Sequence, residues 1–448
     1  MLKTKLTELV KNIFKKQSQL VTNIIIVGSV SLAVKGVSFY KELLIAENYG
    51  VSELLDTFLI AVLIPTFIQN VFINAYGSVF IPNYLLEKKN NENTGAFQSS
   101  SFLITIGIGL LMILVTYLFL DFYLEFLFPG HETTYYQLIK IQLWIILPSM
   151  LFWAITSLIS GLLMTNDEFL YSSLNAIFIP IITIFFLFFY RDNLQEKTLA
   201  VGILVGSIIS TFYMVFIGFR KKLITIKKPD FKNANIQLLL KQMPAKISSG
   251  LINGVNPMVD QYFSAQMAIG AIAALNYGYK IPMVIISLVG GPIGSTILPH
   301  FSKIAAENSE KAYQELKKIL HIGLISMSGV TIILIFLSEF IIIMFFQRGA
   351  FTQDDTSLVY VIQQMYFIQI PFYIVGIVMN SYLTAVNKNN FLVISSILSM
   401  TLNIILNYTL IELLGIKGLA LATSLVSFIN SFVIYIYIRK QYSIKNNV

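Results

Sequence analysis

No cysteine occurs among the 448 residues, so disulfides and thiol chemistry are excluded while the redox compartment stays open. Charge is scarce too: Asp, Glu, Lys and Arg supply 12% of the chain against 56% hydrophobic residues, a balance that no soluble globule could hide in its core. Histidine is scarcer still. His131, His300 and His321 stand far apart, with no HExxH or paired-ligand spacing, and the chain has neither a phosphate-binding loop of the Walker type nor a GxSxG elbow. A cleavable signal is not evident, because the first apolar run is too long for one and no small-residue cleavage site follows it.

What is present is apolar length. Runs that meet the roughly 20 residues needed to cross a bilayer fall at 21–46, 54–81, 99–120, 138–163, 169–190, 198–219, 237–264, 271–298, 319–346, 357–385, 391–411 and 416–438. They predict an all-α polytopic membrane protein of about twelve transmembrane helices, since a barrel would show short alternating strands instead. The basic segment around Arg220 to Lys232 splits the runs six and six. The predicted organisation is an amphipathic interfacial helix over 1–20, an N-lobe over 21–219, a basic cytoplasmic linker over 220–236, a C-lobe over 237–438 and a cytoplasmic tail over 439–448. In the first segment Leu2, Leu6, Leu9, Val10, Ile13 and Phe14 recur at helical spacing between lysines. The halves echo each other: Gly50 precedes Asp56 by six residues as Gly270 precedes Asn276, and Pro82 and Pro299 each mark a helix end. Two pseudo-symmetric six-helix lobes around a central cavity are expected.

Charge sets the orientation. With the N-terminus in the cytoplasm, the inside segments hold 21 basic residues and the outside loops four, Arg191, Lys197, Arg348 and Lys417. Both termini are therefore predicted inside, in the cytoplasmic (inner) membrane of a bacterium. The net charge of +8 is read as a topology signal, with membrane lipids as the partners it implies and nucleic acid excluded. The chain is expected to act as a monomer.

Six cations lie inside the spans, and two are at mid-depth. At 1.5 Å per residue, Lys35 lies roughly 17 Å from the inner boundary and Lys280 roughly 14 Å from the outer one. One comes from each half. An intramembrane charge usually faces a wet interior and serves transport, so the pair predicts a cationic site for an anionic substrate; a structural charge paired across helices is the competing account. Lys41, Glu42, Asp56 and Asp260 compute nearer the outer end, where snorkelling or mutual ion pairs suffice. Breakers gather on the same helices: Gly36 follows Lys35, Pro65 interrupts helix two, and Gly290, Gly291, Pro292 and Gly294 interrupt helix eight. Helices one, two, seven and eight are thus candidates for cavity walls and hinges, with close packing through small residues as the alternative. Thr352 followed by Asp355 reads as a capping box rather than as part of a metal site with Asp354. No metal and no cofactor are expected, and coupling to an ion gradient or to the membrane potential stays open.

Three stretches carry a resemblance. They are KGVSFYKELLIAENYG with LLDTFLIAVLIPTFIQNVFINAYGSVFIP, then VDQYFSAQ, ALNYGYK and GSTILPHFSKIAAE, then FFQRGAFTQDDT with LNIILNYTLIELLGIKGLALATSLVSFINSF. The sequence resembles the MurJ/MviN lipid II flippases, within the wider superfamily of multidrug and lipid-linked oligosaccharide exporters. The resemblance implies a flippase that carries a polyprenyl-diphosphate-linked glycan, with lipid II of peptidoglycan biosynthesis favoured, by alternating access. It places the family's helix-one arginines at Lys35 and Lys41, its acidic neighbour at Glu42 and its helix-eight arginine at Lys280. Asp56 and Asp260 match acidic positions, and Asn256 an amide. The family's paired arginines near the end of helix two correspond to Gln69 and Asn70, and each matched arginine is a lysine, which binds phosphate without the bidentate fork. Typical members also carry two further helices. An O-antigen or capsule flippase, an ion-coupled multidrug exporter and a membrane glycosyltransferase remain as alternatives.

Overall fold

Twelve long helices run through the computed structural model, which describes residues 19–90 and 93–446, and no strand occurs among these residues. The amphipathic helix expected over 1–20 falls almost wholly outside them. In chain order the helices are α1 Gln19–Tyr49, α2 Glu53–Lys89, α3 Thr94–Leu127, α4 Thr133–Met164, α5 Phe169–Phe189 and α6 Thr198–Arg220. They continue as α7 Ala234–Ala265, α8 Ala271–Glu307, α9 Ser309–Phe345, α10 Gln353–Ala385, α11 Asn389–Leu414 and α12 Ile416–Asn446. Among the described residues, ten of the twelve, all but α1 and α7, are long and apolar enough on their own to cross a membrane. The chain divides into two compact units: the described part of Met1–Ile45 with Ala61–Asp121 and Tyr136–Gly250, and Ala46–Ile60 with Phe122–Tyr135 and the described part of Leu251–Val448.

The first unit is built on aromatic and aliphatic packing of α2, α3, α4 and α7. Phe80 stacks on Tyr84 at 5.7 Å and on Phe97 at 5.9 Å, and Leu158, Leu162, Ile236 and Leu239 close the cluster. Gly202 and Gly206, one turn apart on α6, bring that helix against α5 so closely that a Cβ would lie 3.0 Å from Cα of Thr183 or 2.8 Å from Cα of Ile179. This is the small-xxx-small packing of membrane helices. The basic linker is strapped to the start of α3. The amide of Thr225 donates to Gln98 Oε1, that of Lys227 to Ser99 Oγ and that of Asp230 to Ser100 Oγ, at 2.9, 3.0 and 2.8 Å.

Two helices outrun the ends expected at proline. α2 continues past Pro82 to Lys89, and α8 passes Pro282, Pro292 and Pro299 to reach Glu307. An interior proline forfeits a backbone hydrogen bond and crowds the preceding turn, but tertiary contacts beyond it hold the helix on. After Pro82, the Asn83 amide donates to Gln242 at 2.9 Å and the buried Glu87 carboxylate accepts from Asn233 and Asn235 at 2.9 and 2.6 Å. After Pro299, buried Phe301 meets the Tyr382 ring edge-on at 5.4 Å. The second unit packs α8, α9, α10 and α12 around Leu316, Val378, Leu383 and Ile434, with Phe367 and Ile370 centring a further cluster.

Candidate functional site

Lys35 lies mid-way along α1 with its side chain exposed, and the following Gly36 has open space where a Cβ would go. One and a half turns on, Lys41 Nζ pairs with its neighbour Glu42 at 2.8 Å, both side chains about four-fifths covered. Lys280 is half-buried on α8, next to Tyr279, whose ring lies 5.0 Å from Tyr366. Lys35 and Lys41 belong to the first unit and Lys280 to the second.

Gln69 and Asn70 lie on a feature that the sequence reading missed, a π-helical turn over Gln69–Ile73 within α2. It follows buried Pro65 by one turn. Wide turns of this kind loosen the hydrogen-bond ladder and recur at functional sites. Asn70 Oδ1 accepts from the Asn74 amide at 3.2 Å. α7 approaches the same turn through Gly250, where a Cβ would stand 3.1 Å from Val71 Cα and 3.3 Å from the Asn70 carbonyl oxygen.

Asp56 has the most demanding geometry. Its side chain is 2% exposed, and it meets no cation among the contacts described. Oδ2 accepts from the Gly270 N–H at 2.6 Å and Oδ1 from the Ala273 N–H at 2.7 Å. Gly270 is the N-cap of α8, in the left-handed region at φ +91°, and offers no side chain of its own to the helix start. The carboxylate of α2 therefore does the capping, placed against both orphan amides and the positive end of the helix dipole. Gly50 sits six residues before it at φ +52°, where a Cβ would run into the Ala350 backbone. The Ala350 N–H donates to the Glu47 carbonyl at 2.7 Å, so loop 346–351 and the segment around Gly50 are joined.

Asp260 on α7 is met by amides. Its Oδ1 accepts from Asn403 at 3.2 Å and Asn407 at 2.9 Å, both buried on α11. These two asparagines were also missed, though a pair four residues apart in an apolar helix is a legible signal. Asn256 lies one turn before Asp260 on α7, and its side chain is outside the described residues. Of the hinge candidates, Gly290 faces the tip of Ile377 at 2.7 Å from its would-be Cβ, Gly291 faces open space, and Pro292 is exposed. His131 is a further group not singled out earlier: its Nε2 lies 2.8 Å from the carbonyl of Ala265 at the end of α7, and its ring stacks on Tyr135 at 4.1 Å. Past the end of α6, Lys221 donates to Glu168 at 2.7 Å, and this hydrogen bond pushes the ammonium above the ordinary lysine range. Thr352 and Asp355 form the full capping box of α10.

The family model described as "Lipid II flippase MurJ" matches residues 45–447. The chain belongs to the MurJ lipid II flippase family. Among curated relatives, "Probable lipid II flippase MurJ" of Buchnera aphidicola subsp. Schizaphis graminum is 27% identical over 422 residues, covering 92% of this chain and 82% of that protein. "Lipid II flippase MurJ" of Thermosipho africanus is 28% identical, covering 87% and 80%. A solved lipid II flippase MurJ in an inward closed conformation superimposes at a TM-score of 0.79 with 25% identity, covering 93% of this chain and 87% of its own. An inward-facing multidrug transporter of the MATE family reaches 0.78 over 95% and 99% at 12% identity, a likeness of fold alone. The family consists of transporters, so the glycosyltransferase alternative falls away.

Proposed function

We propose that this chain moves lipid II, a polyprenyl-diphosphate-linked glycan of peptidoglycan synthesis, across the bacterial cytoplasmic membrane. The observation that carries the reading is the match to the flippase family over residues 45–447. In this reading the diphosphate is held by Lys35 and Lys280, with Lys41 kept in place by Glu42. Ammonium groups hold phosphate as point charges, and a flexible stem lets each follow the headgroup as it passes. The Asp56 cap on α8 serves as an outer latch: two charge-assisted hydrogen bonds close that end, and their release opens it, giving alternating access. Asp260, an intramembrane carboxylate between two amides, is the group through which an ion gradient or the membrane potential would act. The protein works as a monomer with both termini in the cytoplasm.

The test is replacement of the flippase in a depleted bacterial strain, coupled to an assay of lipid II exposed on the outer face. Restored growth with restored exposure is expected. Growth without lipid II exposure, or transport of an O-antigen or capsule precursor in its place, would assign a different glycan, a reading that the lysine-for-arginine pattern makes worth testing in the same strain.

A further inference from the structure

Apart from the residues discussed so far, the second unit contains an apolar groove of about 700 Å³, within the range of small-ligand sites. α10 is its floor, through buried Val375 and Met379. Leu324 of α9 and Phe432 of α12 are its walls, 40% and 54% exposed along the face that a bilayer would cover. Ser431 adds no free polarity, because its hydroxyl donates to the Phe372 carbonyl at 2.7 Å. The lining residues on each helix run over eight positions, about 10 Å of length. One end is lined by Tyr435 of α12 and by the first residues that α9 contributes.

That end is basic. Lys317, Lys318 and His321 line it, and Lys317 Nζ sits 5.1 Å above the Tyr313 ring. Among the described residues no acid lines the groove: Glu315 is engaged by His300 at 3.5 Å, and Glu310 accepts from the Tyr442 hydroxyl at 3.1 Å. A chain-shaped apolar slot with cations at one end complements an amphiphile with an anionic head. A zwitterionic lipid would gain little, since its own cation opposes the lysines. A second copy of the chain would set like charges against each other.

We propose that this groove binds one anionic phospholipid of the surrounding bilayer, its phosphate at Lys317, Lys318 and His321 and an acyl chain along α10 between α9 and α12. The site shares no residue with the proposed path through Lys35 and Lys280, so it can be tested without lipid II. Delipidated full-length protein is titrated with phosphatidylglycerol or phosphatidylcholine and read by native mass spectrometry. Retention of one phosphatidylglycerol is expected, and the exposed triple variant Lys317→Gln, Lys318→Gln, His321→Gln should weaken it about 30-fold with phosphatidylcholine unchanged. In nanodiscs of both lipids, a photo-crosslinker at Leu324 should capture phosphatidylglycerol preferentially, whereas one at Phe336, 82% exposed on the same helix, should capture the bulk ratio. Bulk-ratio capture at Leu324, unchanged affinity in the triple variant, preference for a polyprenyl phosphate, or a crosslink to a second chain would each overturn the proposal.

Discussion

Asp56 and the mid-span lysines make different demands on a substitution. Asp56→Ala leaves two buried N–H groups at the start of α8 without an acceptor, a cost of about 1–3 kcal/mol for each group left unpaired. The thermal midpoint of the purified protein should fall, and a cysteine placed at Val51, which packs on Gly270, should label faster from outside. Asp56→Asn keeps one acceptor and should fall between. For Lys35 and Lys280 the expectation is reversed, since function should fail while the fold stands. Lys35→Ala and Lys280→Ala should abolish rescue of the depleted strain at near-normal protein level, with Arg tolerated better than Gln because it keeps the charge. Full activity of both alanine variants would remove the diphosphate site, and loss of the protein itself would point to a structural charge.

Among the elements, the glycines sort by what their helices meet. Gly206 on α6 abuts the backbone of α5, so Gly206→Leu should drive the pair apart and collapse expression or the thermal midpoint. Gly36 and Gly291 meet nothing within 4 Å, and alanine there should leave stability unchanged or raise it by about 0.5–1 kcal/mol. If these two variants keep the midpoint but lose transport, α1 and α8 bend there during the cycle. If both transport normally, the hinge assignment fails. The π-turn at Gln69–Ile73 offers a comparable test, since deleting one residue within it would turn the wide turn into ordinary α-helix while Asn74 to Lys89 and the Glu87 contacts keep their facing, so transport lost at an unchanged thermal midpoint would assign the turn a part in the cycle.

For the molecule as a whole, the absence of native cysteine makes topology directly measurable. Single cysteines at Lys228 and Glu307, both exposed, should resist membrane-impermeant thiol reagents in intact cells, and cysteines at Thr133 and Gln353 should react. Asn233 and Asn308 are poorer positions for labels, because the first caps the start of α7 and holds Glu87 and the second caps α9. Reaction at Lys228 from outside would reverse the proposed orientation.

Hydrophobic length by itself determined ten of the twelve helices, because in hydrocarbon every backbone group must be satisfied within its own segment and roughly 20 apolar residues are enough to declare it; α1 and α7 fall short of that measure among the described residues. Local chemistry also sufficed for the capping box of Thr352 and Asp355, whereas the left-handed backbone at Gly50 and Gly270 came only with the structure. Helix ends were different. Pro82 and Pro299 read as stops, yet contacts from residues far along the chain carry both helices further. The same holds for the acids. Asp56 and Asp260 stood out as charges in apolar runs, but only the tertiary structure decided that one caps a helix 214 residues away and that the other takes two amides from α11. Burial raises the cost of an unpaired polar group without naming its partner; distance in the folded chain does that, and sequence spacing does not encode it.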